Sequence, residues 1–242
     1  MTGLAVSTNS ESEDIDSPFW RFDMHVHSWH SGDSGTNPSK IVELYRGQRI
    51  LSLVTDHNTL AGSQAVYGDL RSEFPELPLI LSEEIMTDSG EIIGLFLSEE
   101  VHPYLSAAET VDIIHDQGGL ALIPHPFCSY RRTSAIRSDV LDEIIDRVDI
   151  IEGYNARTGR DEDNLRAREY AMAHKKPVSV GSDAHNIHEL GRCYLECDPF
   201  TTPRELLASL SNGRPEFCRM DFSIHKLTKL VKAVRRDRLL EE

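Results

Sequence analysis

Apolar, β-branched runs alternate with longer mixed stretches along most of this chain. Period-two runs predict strands at residues 21–27, 50–55, 79–86, 91–97, 120–124, 148–152, 178–181 and 192–197. Between them, helices are predicted at 38–48, 61–72, 107–117, 140–146, 164–174 and 203–210. Asn37 is placed to cap the first helix, with Pro38 at its first turn, and Gly118-Gly119 stops the third. Asp88-Ser89-Gly90 reads as a hairpin turn into residues 91–97. Repeated strand–helix units predict a parallel sheet, open or closed into a barrel.

Polar residues break this pattern at the strand ends, and four apolar runs finish in histidine. His25-Val26-His27 puts two imidazoles on one face of a strand, because residues i and i+2 point the same way. Thr55-Asp56-His57 follows 50–54, Pro124-His125-Pro126 follows 120–123, and Ser182-Asp183-Ala184-His185 follows 177–180. Paired nitrogen and oxygen donors at the ends of separate strands suit a metal site. A barrel gathers every strand end at one mouth, whereas an open sheet concentrates its site at one switch point, so the pattern favours closure.

The chain has 242 residues, enough for one domain with a sizeable core. It has no run long enough for a membrane span and no basic-then-apolar leader pattern. Four cysteines without a CxxC pair read as reduced thiols, so a cytoplasmic location is expected. A formal net charge of −15 argues against long nucleic acid, though not against a nucleotide held by ions and a few arginines. Residues 1–17, rich in Ser and acid, are expected to be a disordered tail, with the domain at 18–220. Residues 221–242 carry Lys226, Lys229, Lys232, Arg235, Arg236 and Arg238 and are read as a basic helix docked on the domain or extending from it.

Taken together in order and spacing, His25-Val26-His27-Ser28, Thr55-Asp56-His57-Asn58-Thr59, Glu84, Ile123-Pro124-His125-Pro126 and Gly181-Ser182-Asp183-Ala184-His185 resemble the four-motif signature of the PHP (polymerase and histidinol phosphatase) superfamily. The resemblance spans about residues 21–197. It implies a distorted (βα)7 TIM-like barrel, a cluster of two or three divalent ions at the C-terminal ends of the strands, and phosphoester hydrolysis by a metal-activated hydroxide. It further implies that His25, His27, Glu84 and Asp183 hold one ion, that Glu84 bridges to a second held by His125, and that Asp33, His57 and His185 complete a third site. Several relatives have a histidine where this chain has Glu91; a carboxylate can serve instead, so Glu91 is expected as a ligand. Glu83 should face away from Glu84.

Nitrogen and oxygen donors without thiolate suit Mn, Fe or Zn. Arg131, Arg132, Asn155 and Arg157 follow strands on the mouth side and are candidate phosphate binders. No protein general acid is evident. The expected substrate is a small phosphorylated metabolite or nucleotide; the stretch between Glu84 and His125 is too short for a capping domain, so an open pocket and a broad substrate range are expected. The alternatives are an amidohydrolase-like metal hydrolase, a short-oligonucleotide exonuclease and a non-catalytic PHP module. The sequence leaves any protein partner open.

Overall fold

The computed structural model describes residues 19–218 and Thr228. The expected N-terminal tail and nearly all of the expected basic C-terminal helix lie outside these residues. In chain order the elements are β1 (Trp20–Val26), α1 (Pro38–Gln48), β2 (Ile50–Val54), α2 (Ala61–Glu73), β3 (Ser82–Thr87), β4 (Gly90–Leu95), α3 (Ala107–Asp116), β5 (Leu120–Ile123), α4 (Ser138–Ile144), β6 (Ile150–Asn155), α5 (Asp161–Ala173), β7 (Val178–Gly181), β8 (Cys193–Cys197), α6 (Pro203–Asn212) and β9 (Arg214–Phe217). Among the described residues no helix is long and apolar enough to cross a membrane.

Local chemistry explains most boundaries. The Asn37 side chain accepts from the Ser39 amide at the start of α1. Reciprocal capping boxes, Ser106 with Glu109 and Thr202 with Glu205, open α3 and α6. α5 begins three residues before the predicted 164, because Asp161, Glu162 and Asp163 complement the helix N-terminus. Asn164 is therefore within the helix, and its amide reaches the backbone of Asn155.

The ladders form an α/β fold of two mixed sheets, in the orders β2-β1-β8-β9 and β3-β4-β5-β6-β7. The parallel pairing expected of the repeated units is interrupted at the hairpin read from Asp88-Ser89-Gly90 and at β8 and β9. The 88–89 hairpin sends β4 back antiparallel to both β3 and β5. Apart from β4, neighbours among β1–β7 run parallel. Two isolated parallel bridges link the sheets at their edges, Val26 to Ala184 and His57 to Glu84. Both bridges sit beside the histidine motifs, so the sheets meet where those motifs lie.

The apolar positions sort into two clusters. Phe22, Met24, Leu51, Leu53, Ile93, Leu122, Ile150 and Val180 join α1, α2 and α6 residues in one. The second packs Val111, Ile114, Leu141, Ile144 and Ala167 of α3–α5 against Ile85, Ile92, Ile123 and Ile151. In β1, Phe22, Met24 and Val26 alternate with Asp23 and His25, and all five are buried. A strand whose polar positions are buried must satisfy them with partners, and that requirement builds the site.

Candidate metal centre

The nine candidate ligands come to one place. Burial takes in His25, His27, Asp33, Glu84, Glu91, His125, Asp183 and His185, and His57 is only partly exposed. Glu84 is the hub: its carboxylate lies 3.5 Å from His25 Nε2, 3.3 Å from His27 Nε2, and 3.1 Å from both His57 Nδ1 and His125 Nε2. Asp33 Oδ2 lies 3.4 Å from His57 Nε2 and 3.3 Å from His185 Nε2. Asp183 Oδ1 faces His27 Nε2 at 3.5 Å and His25 Nε2 at 3.8 Å.

Four overlapping groups each converge closely enough to share an ion: His27, Asp33, His57 and His185; His25, His27 and Glu84; His25, His125 and Asp183; and His57, Glu84 and Glu91. His27 joins the group expected of Asp33, His57 and His185. Glu91 reaches the cluster through the hairpin, because the antiparallel β4 begins at the mouth where β3 ends. It lies 3.6 Å from both His57 and His125. Glu83 turns away, accepting from the Val101 amide at 2.6 Å.

The donor chemistry fits divalent ions. Glu84 Oε2, Glu91 Oε2 and Asp183 Oδ1 are buried without a hydrogen-bond partner, an arrangement that is costly unless a cation meets them. His25 Nε2 and His27 Nε2 face each other at 3.1 Å, where two lone pairs need a shared proton or ion. The opposite ring edges are held. His25 Nδ1 donates to Glu152 at 2.9 Å, and His27 Nδ1 pairs with Ser31 Oγ at 2.9 Å. Both Nε2 atoms are thereby directed into the cluster.

Backbone strain sits at the same place. His125 has φ +32° and Asp183 φ +54°, left-handed conformations uncommon for residues with a Cβ. Asp56 ties two strand ends together by accepting from the Ser28 amide at 2.7 Å and its hydroxyl at 2.6 Å. Gly181 is required by packing: a Cβ there would lie 2.2 Å from Glu152 Oε1 and 2.5 Å from His25 Cβ. Gly181→Ala is expected to cost about 1–3 kcal/mol in urea unfolding; an unchanged midpoint would show that this contact yields without cost.

Electrostatics follow from burial set against close partners. Burial raises Glu84 and Asp183, yet His25 and His57 for Glu84, and Arg131 and His25 for Asp183, pull both well below the ordinary carboxylate range. Burial lowers His27, but Asp183 and Glu84 raise it further, to about 9. Burial, then His27 and Arg157, depress His185 to about 3. Burial and Glu84 push Glu91 up to about 7. In metal-free protein the contribution of His27 is complete below its ordinary 6.5 and is lost as pH rises through about 9. The contribution of His185 has the opposite sign, present above 6.5 and lost as pH falls toward 3. An ion at His27 must displace the proton, so Mn affinity should rise between pH 6.5 and 9, with proton release. Calorimetry in buffers of different ionisation enthalpy measures that release; binding without it would contradict the assignment of His27.

The candidate phosphate binders fall in three different settings. Arg131 reaches the cluster, paired with Asp183 Oδ2 and 3.3 Å from His125 Nε2. Arg157 is buried against Glu189 at 3.3 Å, the Asp183 carbonyl at 3.4 Å and the Thr228 hydroxyl at 2.6 Å. Asn155 is buried with both amide hydrogens engaged, and Arg132 is exposed. Two supporting residues escaped the sequence reading. Glu152 sits inside an apolar strand with no motif to mark it, and Glu189 follows His185 in a loop.

Comparison with known proteins bears on this geometry. Residues 161–215 match a family model described as PHP-associated. An uncharacterised protein of Methanocaldococcus jannaschii is 37% identical over 179 residues, covering 73% of this chain and 70% of that protein. A two-domain protein of Bacteroides vulgatus, described as containing a predicted PHP-like metal-dependent phosphoesterase, superimposes with a TM-score of 0.62 at 15% identity, over 83% of this chain and 66% of that one. A lesion-specific endonuclease of Pyrococcus furiosus superimposes with a TM-score of 0.58 at 17% identity, over 84% of this chain and 60% of that one. The ordered histidine motifs, the carboxylate at their centre and these likenesses agree, and the chain belongs to the PHP superfamily.

Proposed function

We propose that this protein is a metal-dependent phosphoesterase acting on a small phosphorylated metabolite or nucleotide, on a sheet arrangement read as a distorted (βα)7 barrel. The observation that carries the reading is the buried cluster in which carboxylate oxygens of Glu84, Glu91 and Asp183 have no hydrogen-bond partner. His25, His27, Glu84 and Asp183, with His125 and Glu91 on one side and Asp33, His57 and His185 on the other, would hold two or three ions of Mn, Fe or Zn. When bound, such ions supply Lewis acidity and a lowered pKa for water.

The chain's own residues supply the rest. Glu84 and Asp183 remain ionised, which balances the charge of the ions. Arg131 carries a permanently charged planar donor set beside Asp183 and is the arginine closest in role to a phosphate clamp. Arg157 is braced by Glu189 and holds the Asp183 backbone, so its contribution is to orient that ligand.

The test is phosphate release from sugar phosphates, nucleoside mono- and bisphosphates and histidinol phosphate, with short oligonucleotides as a phosphodiester arm. Manganese is added, and His25→Ala runs in parallel. Turnover abolished by the substitution supports the reading, and the ranking of the panel names the substrate. Silence on monoesters with cleavage of oligonucleotides would move the protein to the diesterase alternative. Ammonia release without phosphate release would favour the amidohydrolase-like one.

A further inference from the structure

We infer that Glu152 and Asn155 form a buried bracket that positions one ion site of the cluster selectively; this rests on the metal-dependent reading above. Glu152 has both carboxylate oxygens engaged: Oε1 accepts from His25 Nδ1 at 2.9 Å, and Oε2 accepts from the His125 amide at 2.7 Å and from Asn155 Nδ2 at 2.9 Å. Asn155 Nδ2 also donates to Asp183 Oδ2 at 3.2 Å. Its own Oδ1 accepts from the Arg157 amide at 3.0 Å. Together these two side chains touch His25, His125 and Asp183, the members of one converging group.

Each contact fixes a different degree of freedom. The His25 contact keeps the proton on Nδ1 and leaves Nε2 bare toward the cluster. The bond to the His125 amide holds a backbone at φ +32°. The Asp183 contact occupies Oδ2, so that Oδ1, buried without a hydrogen-bond partner, is the oxygen left for an ion. Glu152 Oε1 packs against Gly181, in space that a Cβ at that position would take. Asp33 has its contacts elsewhere, with His57 and His185, and Glu91 meets the bracketed group at His125 alone. Asn155 thus acts as a positioning residue, with its amide committed to protein partners rather than to phosphate.

The test measures stepwise Zn and Mn affinities by chelator competition and ion content by mass spectrometry, in wild type, Glu152→Gln, Asn155→Ala and Asp33→Asn. Glu152→Gln keeps the shape but turns its amide hydrogens either on His25 Nδ1 or on the His125 amide and Asn155 Nδ2. The expected result is a loss of about 10–100-fold in the affinity of one ion, with the remaining ions within about threefold, whereas Asp33→Asn weakens a different ion. In the zinc-loaded protein, ¹⁵N spectra of the imidazoles should show His25 protonated at Nδ1 in wild type and a changed tautomer in Glu152→Gln. A merely structural role would not move that signal. If Glu152→Gln does not fold, Asn155→Ala alone decides. Equal weakening of every ion, or no weakening, overturns the inference while phosphate release by wild type leaves the phosphoesterase reading standing. Wild-type protein that takes up no ion overturns both.

Discussion

Glu84→Gln should reduce phosphate release by at least about 10³-fold, the largest effect of any single isosteric change, since stabilisation by bound ions is worth several kcal/mol and each 1.4 kcal/mol is a factor of ten. Its carboxylate lies within 3.5 Å of four histidine nitrogens and belongs to two of the converging groups. The amide keeps the volume but loses the charge and offers a hydrogen where an ion is expected. Loss of activity should therefore come with loss of bound ions, not with unfolding. Near-normal kcat in protein of reduced ion content would mean that Glu84 is structural.

Ion loading should raise the thermal midpoint by roughly 10 °C. At an ion concentration of about 1,000 Kd, binding to the native state alone adds about 4 kcal/mol, and about 1 kcal/mol moves Tm by 2–4 °C in a chain of this size. The buried, partnerless oxygens of Glu84, Glu91 and Asp183 give the physical reason, because only the folded chain gathers them. Scanning calorimetry of chelator-treated protein, before and after Mn is restored, measures the shift. An unchanged midpoint would indicate that these groups are satisfied without ions and would favour the non-catalytic module.

Much of the site could be read from the chain because its ligands come as motifs. His25 and His27 declare a shared face by their spacing. His57, His125 and Asp183 each follow an apolar run, which places them at strand ends before any coordinates exist. Glu91 depended on the hairpin at 88–89, a turn signal legible in sequence. The supporting layer was not legible. Glu152 acts through His25 and His125, and Glu189 through Arg157, all on elements apart in the chain, and nothing local distinguishes a buried acid in a strand from an exposed one; Asn155 was singled out as a phosphate binder, but its contact with Asp183 left no local mark. Strand direction was also partly hidden. The hairpin signal set β4 antiparallel to β3, but the apolar pattern of 91–97 and 120–123 did not show that β4 and β5 would also pair antiparallel. β9 was missed because Arg214-Pro215-Glu216-Phe217 is a largely exposed strand that among the described residues pairs with β8 alone, a setting where polar residues and proline are tolerated.

The central claim is that bound ions make this protein a phosphoesterase. The most direct measurement is phosphate release as metal-free protein is titrated with Mn, one equivalent at a time, on the best substrate of the panel. No turnover without ions, and a rise that saturates at two or three equivalents, is the predicted result. Turnover that survives complete removal of ions would contradict it.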